Sequence, residues 1–206
     1  MLLAIDIGNT NITLGLFDGD RLAARWSIAS SASPTAVEFA VALRDLFSSA
    51  GFEISSLEGC VVCSVVPALN GSVREALEGC ASGPVRIVGE DIEAGVAVLV
   101  ENPSEVGADR LVNAAAGFSI HKAALIIVDL GTAVTFDVVT AKGEYAGGVI
   151  APGIGISSEA LFTKTALLPK VEPARPERVI GRNTADCIRS GLYWGFVGLI
   201  DGIIER

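Results

Sequence analysis

Basic residues are scarce in this chain: 15 Lys and Arg stand against 24 Asp and Glu, a formal net charge of −9. That balance excludes broad, non-specific binding to nucleic acid or to an anionic membrane. Any anionic ligand must be held by local N–H dipoles, metal ions and a few placed cations. Histidine is scarcer still, with His121 alone. Cys60-Val61-Val62-Cys63 therefore lacks the second Cys or His pair that a zinc site needs. The pair lies in an apolar run over 60–66, where positions three apart point to opposite faces of a strand, so buried structural thiols are expected. No uninterrupted apolar run reaches the ~18 residues of a membrane span, and nothing resembles a signal peptide. A reducing, cytoplasmic compartment is the expectation. Charged residues make up 19% and aromatics 6%, while half the chain is hydrophobic, which is the composition of a well-buried α/β protein rather than a disordered one.

What the chain does have is a repeated phrase. Leu3-Ala4-Ile5-Asp6-Ile7-Gly8-Asn9-Thr10 runs on into Asn11-Ile12-Thr13-Leu14-Gly15-Leu16-Phe17. An apolar run ends on one carboxylate, a glycine with side-chain amides and hydroxyls follows, and an alternating strand leaves. Two strands joined by a tight Gly8-Asn9 turn is the simplest reading, because Gly and Asn tolerate positive φ. Such a turn lines up N–H groups in a concavity suited to phosphate. An ordinary hairpin with one exposed Asp is the plainer alternative. The phrase returns as Leu125-Ile126-Ile127-Val128-Asp129-Leu130-Gly131-Thr132-Ala133-Val134-Thr135-Phe136, one residue shorter in the turn. Asp6 falls on Asp129, Gly8 on Gly131, Thr10 on Thr132 and Thr13 on Thr135. A turn and a further strand follow each copy. A repeat this long implies two related domains rather than a solenoid. Two facing hairpins of this kind can hold a polyphosphate and its metal between them.

Taken in order, a third strand is expected over 21–27. Ser33-Pro34 reads as the start of a helix that Gly51 stops, with Ala36, Ala40, Leu43 and Phe47 on its apolar face. A doubly covered strand spans 57–65, a helix 68–77 and a strand 84–88. Residues 90–100 read as irregular or edge structure, and the polar block 101–110 as a loop feeding an Ala/Leu-rich helix that crosses between the halves. The second copy gives strands at 124–129, 133–140 and 144–149, then a glycine-rich exit into a helix at 154–161 and a proline-punctuated loop over 169–176. The last element, 183–206, reads as one long helix. Its glycines at 191, 195, 198 and 202 form a stripe that invites close approach by another helix, in this chain or in a second subunit.

Gly107-Ala108-Asp109-Arg110 adds a carboxylate beside an arginine. A surface ion pair is the plain reading. In a nucleotide site, Arg110 can fork onto a substrate carboxylate and Asp109 can accept a hydroxyl proton. Phosphoryl transfer asks mainly for positioning, charge neutralisation and one such base.

In chain order, Asp6-Ile7-Gly8-Asn9-Thr10, Gly107-Ala108-Asp109-Arg110, Asp129-Leu130-Gly131-Thr132-Ala133, Gly147-Gly148 with Pro152-Gly153, and Gly181-Arg182-Asn183-Thr184 resemble the type III pantothenate kinases over nearly the whole chain. Asp-x-Gly-x-Thr alone fits any member of the wider acetate-and-sugar-kinase and actin superfamily, whereas the five-motif series is specific to the type III group. The resemblance implies an α/β chain of two ribonuclease-H-like (actin-like ATPase) domains, 1–118 and 119–206, each a mixed β-sheet flanked by helices. It implies a homodimer that transfers the γ-phosphate of ATP to pantothenate, the first step towards coenzyme A. Asp6, Ile7, Gly8, Asn9, Thr10, Asn11, Ile12 and Thr13 would hold the ATP phosphates, and Asp6 also magnesium as the divalent cation. Gly131 and Thr132 would contact ATP, and Asp129 would bind a monovalent cation, potassium or ammonium. Asp109 would be the proton acceptor. Gly107, Ala108, Asp109 and Arg110 would line the pantothenate pocket. Thr184 would contact pantothenate while also able to cap its helix beside Asn183.

Two departures accompany the resemblance. Val100 stands where the family usually carries an aromatic residue, so that residue's hydrogen bond to substrate is not made. Family members also continue past Arg206, so the second domain is expected to be incomplete at its C-terminus. A non-catalytic nucleotide-binding regulator of the same fold, or another small-molecule kinase or phosphatase of the superfamily, are the competing readings.

Overall fold

Alternating apolar residues along the first three strands build the larger of two sheets. β1 (Leu2–Ile7), β2 (Asn11–Asp18) and β3 (Arg21–Ala29) run as antiparallel neighbours. After α1 (Ala36–Ser49) comes β4 (Gly59–Ser64), and after α2 (Pro67–Glu78) comes β5 (Val85–Ile87). β4 is parallel to both β1 and β5, so the order is β3-β2-β1-β4-β5. The computed structural model describes residues 1–30 and 34–206, which divide into two units. The first comprises 1–122 with 143–145, and the second 123–142 with 146–206.

The core of the first unit brings Leu3, Ile5, Ile7, Ile12, Leu14 and Leu16 of the hairpin together with Phe39, Leu43 and Phe47 of α1 and Leu69, Val73 and Leu77 of α2. Cys60 and Cys63 are buried in β4, as a strand covered on both faces requires. Ser33 lies outside the described residues. The cap of α1 is Thr35, whose hydroxyl accepts the N–H of Glu38 while the Glu38 carboxylate accepts the N–H of Thr35 at 2.8 Å. That reciprocal pair satisfies two donors that the helix itself leaves open. α3 (Ala108–His121) begins one residue after Gly107. Asp109 and Arg110 therefore stand in the first turn of a helix and not in the loop expected before it. A carboxylate there is favoured by the partial positive charge of the helix start.

The second unit holds β6 (Leu125–Leu130), β7 (Ala133–Val139) and β8 (Tyr145–Pro152), in a three-stranded sheet of that order. Tyr145, the first residue of β8, belongs to the first unit, and the strand continues in the second. α4 (Ile154–Thr163) and α5 (Thr184–Ile204) follow, and Val171 packs with Ile188 and Leu192 of α5. The repeat seen in the sequence is thus a repeat of strands: three in one sheet against the five of the other. A Cβ built on Gly191, Gly195 or Gly198 would meet nothing within 4 Å, so no helix among the described residues fills that stripe. α5 is also the one described helix long and apolar enough to cross a membrane, at a mean hydropathy of 1.2. Length and composition alone do not make it a span, and Asp186, Arg189 and Asp201 stand along it.

Candidate active site

The two related hairpins close alike. The N–H of Gly8 donates to the carbonyl of Asn11 at 2.9 Å, and that of Gly131 to the carbonyl of Ala133 at 3.0 Å, the same closure made one residue shorter. Asp6 pairs with Thr13 across the first ladder and Asp129 with Thr135 across the second, the correspondence read from the sequence. The conformational reason for glycine does not hold. Among the described residues positive φ occurs at Lys122 and at Gly19, Gly51, Gly89, Gly95, Gly143 and Gly147, and at neither Gly8 nor Asn9. At Gly8 the pressure is on space instead, since a Cβ would lie 3.2 Å from the Asn11 carbonyl oxygen, a tight contact that the turn would have to ease by a few tenths of an ångström.

In the first unit Asp6 lies at the C-terminal end of β1, directly beside Cys63 of β4. The Cys63 thiol is pushed up to about 12, first by burial, then by the negative charges of Asp6 and Asp109. Both carboxylates thus act on one sulfur, at the carboxyl ends of two parallel strands. Ligands of open α/β sheets gather at such ends. Asp109 folds back over its own helix start, where its Oδ1 accepts the N–H of Arg110 at 2.8 Å. Gly107 makes this possible, because a Cβ there would collide with that oxygen. The Arg110 guanidinium lies over the ring of Tyr145, 5.7 Å from its centre.

In the second unit Asp129, Gly131 and Thr132 are exposed at the β6–β7 turn. The N–H of Gly153 donates to the carbonyl of Thr132 at 3.0 Å, and a Cβ on Gly153 would run into that oxygen. Glycine at the head of α4 is what lets the turn and the helix meet. Thr184 is exposed at the first position of α5, and the cap is Asn183, whose side-chain oxygen accepts the N–H of Asp186 at 2.9 Å. A cavity of about 580 Å³ includes Gly181 and Arg182 of the same motif, with Arg175, Arg178 and Arg189 around it.

Sequence reasoning misses Tyr145 and Asp137. Asp137 is fully buried in β7 and accepts a hydrogen bond from Thr135 at 3.3 Å. A carboxylate inside an apolar strand run is its signal. Tyr145 has none, since its importance depends on which segments it joins.

A family model described as type III pantothenate kinase matches residues 2–206. The chain belongs to that family. The type III pantothenate kinase of Geotalea uraniireducens (strain Rf4) is 47% identical over 206 residues, covering all of this chain and 80% of the relative. That of Pelobacter propionicus is 47% identical and that of Moorella thermoacetica 46%, each with 81% of the relative covered. Among solved structures, a conserved Baf family protein from Campylobacter jejuni matches at a TM-score of 0.59 and 16% identity, over 98% of this chain and 78% of that one. At that identity the likeness is one of fold. Among the described residues of this pantothenate kinase, no three of His, Cys, Asp and Glu gather as a preformed metal cage. Magnesium in phosphoryl-transfer sites needs none, because it keeps waters and takes one or two carboxylates with the substrate phosphates.

Proposed function

We propose that Asp109 is the base with which this chain, a pantothenate kinase by family, readies the primary hydroxyl of pantothenate for attack on the γ-phosphate of ATP. The reaction is an ATP-dependent phosphorylation on the way to coenzyme A, and it requires a divalent cation. The observation that carries the reading is geometric: Asp6 is in register with Cys63, the N–H of Val65 donates to the Ile7 carbonyl at 3.0 Å, and a Cβ on Gly107 at the start of α3 would lie 3.6 Å from the same Val65. One carboxylate sits in the first hairpin and the other on a helix start, which supports reading Asp109 as a base close to a phosphate-binding loop.

The roles divide by chemistry. Residues Asp6 to Thr13 cradle ATP phosphates with backbone N–H groups and hydroxyls, and Gly131 and Thr132 contact the nucleotide in the same manner. Asp6 suits magnesium, which offsets the charge developing on the phosphoryl oxygens. Asp129, a carboxylate at the matching place in the second hairpin, holds potassium or ammonium. Arg110 presents a planar fork to the pantothenate carboxylate, with Gly107 and Ala108 beside it and Thr184 as a further contact. Asp109 takes the hydroxyl proton as the oxygen attacks. The chain works in the cytoplasm as a homodimer of two ribonuclease-H-like domains, 1–118 and 119–206. The order β3-β2-β1-β4-β5 and the doubled hairpin support that domain reading.

A coupled assay of ADP release tests this. Release should require pantothenate and a divalent cation, and should fall when potassium is replaced by sodium. Asp109→Asn should lower kcat by roughly 10²–10⁴-fold, the usual contribution of a positioned general base, with both KM values little changed. Undiminished turnover in Asp109→Asn would remove Asp109 from the role.

A further inference from the structure

Tyr145 stands at a junction that the reaction scheme above leaves unused. Its N–H donates to the carbonyl of Ala97 at 2.8 Å, and its own carbonyl accepts the N–H of Leu99 at 2.9 Å. These two bonds make a parallel bridge, Val98 to Tyr145, that fastens the otherwise irregular 97–99 segment. Two residues earlier, Gly143 lies so close to the Phe118 ring of α3 that a Cβ would collide with it, and its φ of +81° is one that glycine adopts freely. The short segment 143–145 is thereby held at two places, on the later part of α3 and on 97–99. Tyr145 is 1% exposed, and the Arg110 guanidinium lies over its ring.

We propose that Tyr145 is a positioning residue for the phosphorylation of pantothenate: its ring is the platform that aims the Arg110 fork at the substrate carboxylate. The inference rests on the reading of Arg110 given above. A guanidinium on a flexible stem reaches many orientations. An aromatic face attracts the cation and favours stacking of a planar group, which narrows those orientations before substrate arrives. A fork already aimed loses less freedom on binding, so the gain falls on pantothenate affinity. The backbone bridge adds a second consequence. Because the same residue fastens 97–99, Val100 next to that segment is held relative to Arg110 although its side chain offers the substrate no hydrogen bond. ATP binding does not depend on this platform.

The test compares wild type, Tyr145→Leu, Tyr145→Phe, Arg110→Lys and the Tyr145→Leu/Arg110→Lys double variant in the ADP-release assay, with pantothenate and its primary amide as acceptors. Tyr145→Leu keeps both backbone hydrogen bonds and loses the ring. It should raise the pantothenate KM by about tenfold, leave the ATP KM within about twofold and narrow the preference for acid over amide. Tyr145→Phe should recover most of that loss. The double variant should be little worse than Arg110→Lys alone, because the ring acts through the arginine. The acid-to-amide ratio is internal to each protein, so it remains decisive even in a variant that folds poorly. Losses that multiply in the double variant, or an unchanged acid preference in Tyr145→Leu, overturn the proposal while leaving Arg110 in place. An Arg110→Lys protein with normal pantothenate KM overturns the carboxylate role of Arg110, and this inference with it.

Discussion

Cys63 shows what a single residue in this site can report. Its thiol sits beside two carboxylates in a buried strand, and the protonated form is favoured by all three influences on it. Cys60, in the same strand, is pushed up to about 11, mainly by burial and then by Cys80. In the unfolded chain both ionise near the ordinary thiol value of 9.0. A group with a raised folded pKa contributes stability that is fully present below its unfolded pKa and lost as pH rises through the folded one. Stability should therefore fall between about pH 9 and 12, and Cys63→Ala should flatten the upper part of that fall in urea titrations. Thiolates are the reactive form. Iodoacetamide at about pH 8 should then label the exposed Cys187 and spare Cys60 and Cys63, whose thiols ionise only well above that pH, as peptide mass mapping would read. Fast labelling of Cys63 would mean that water reaches its sulfur. None of this is legible in the Cys-x-x-Cys spacing. Burial of the pair can be read from the apolar run, but the neighbours of Cys63 depend on the register of β1 against β4.

Elements are more legible than their ends. The strands of both hairpins follow from alternation and turn residues, and the registers Asp6–Thr13 and Asp129–Thr135 match the alignment of the two phrases. The start of α1 is ambiguous in the sequence because Ser33-Pro34 is a helix-start signal in its own right. Thr35-Ala36-Val37-Glu38 is a stronger one, offering both halves of a capping box, each cap being worth about 1 kcal/mol. Asp109 reads as part of a loop because Gly, Asn and Pro crowd the stretch before it, yet Asp is equally at home in a first helical turn. The junction of β8 and α4 shows in the sequence only as glycine-rich, and its use is specific. Gly153→Ala would drive a methyl group into the Thr132 carbonyl and shift the β6–β7 turn, proposed above to contact ATP. A displacement of about 1 Å in such a turn is enough to cost roughly 10–100-fold in kcat/KM for ATP, while the pantothenate KM stays near its normal value. Steady-state kinetics with each substrate varied in turn check this. An equal loss for both substrates would point to damage beyond the turn.

At the scale of the whole molecule, the repeat in the sequence announces two related hairpins, which stand in sheets of five and three strands. The hairpin motif is short and local, so it shows in the residues. The two parallel strands that enlarge the first sheet also show in the sequence, as separate apolar runs over 57–65 and 84–88, but their place beside β1 does not. The same contrast applies to α5. Its glycines are plain in the sequence, but whether another helix meets them is a question of tertiary contact. Among the described residues none does, and Trp194 and Ile204 on that helix are 39% and 46% exposed. Each glycine weakens a helix by about 0.5–1 kcal/mol relative to alanine, so a stripe of them calls for a close partner. If the homodimer proposed above forms through this stripe, one patch repeated about a two-fold axis would meet itself. Sedimentation velocity should then give twice the 21.2 kDa chain mass. Gly195→Leu, which places a bulky side chain in the middle of the stripe, should sediment as the single chain. If the variant keeps the wild-type mass, or the wild type is itself monomeric, the stripe is not the contact between copies. Because the site residues proposed in the first unit stand on other elements, separated Gly195→Leu chains that retain ADP release would show that pairing adds stability rather than chemistry. Chains that separate and fall silent together would show that the site is completed across the pair.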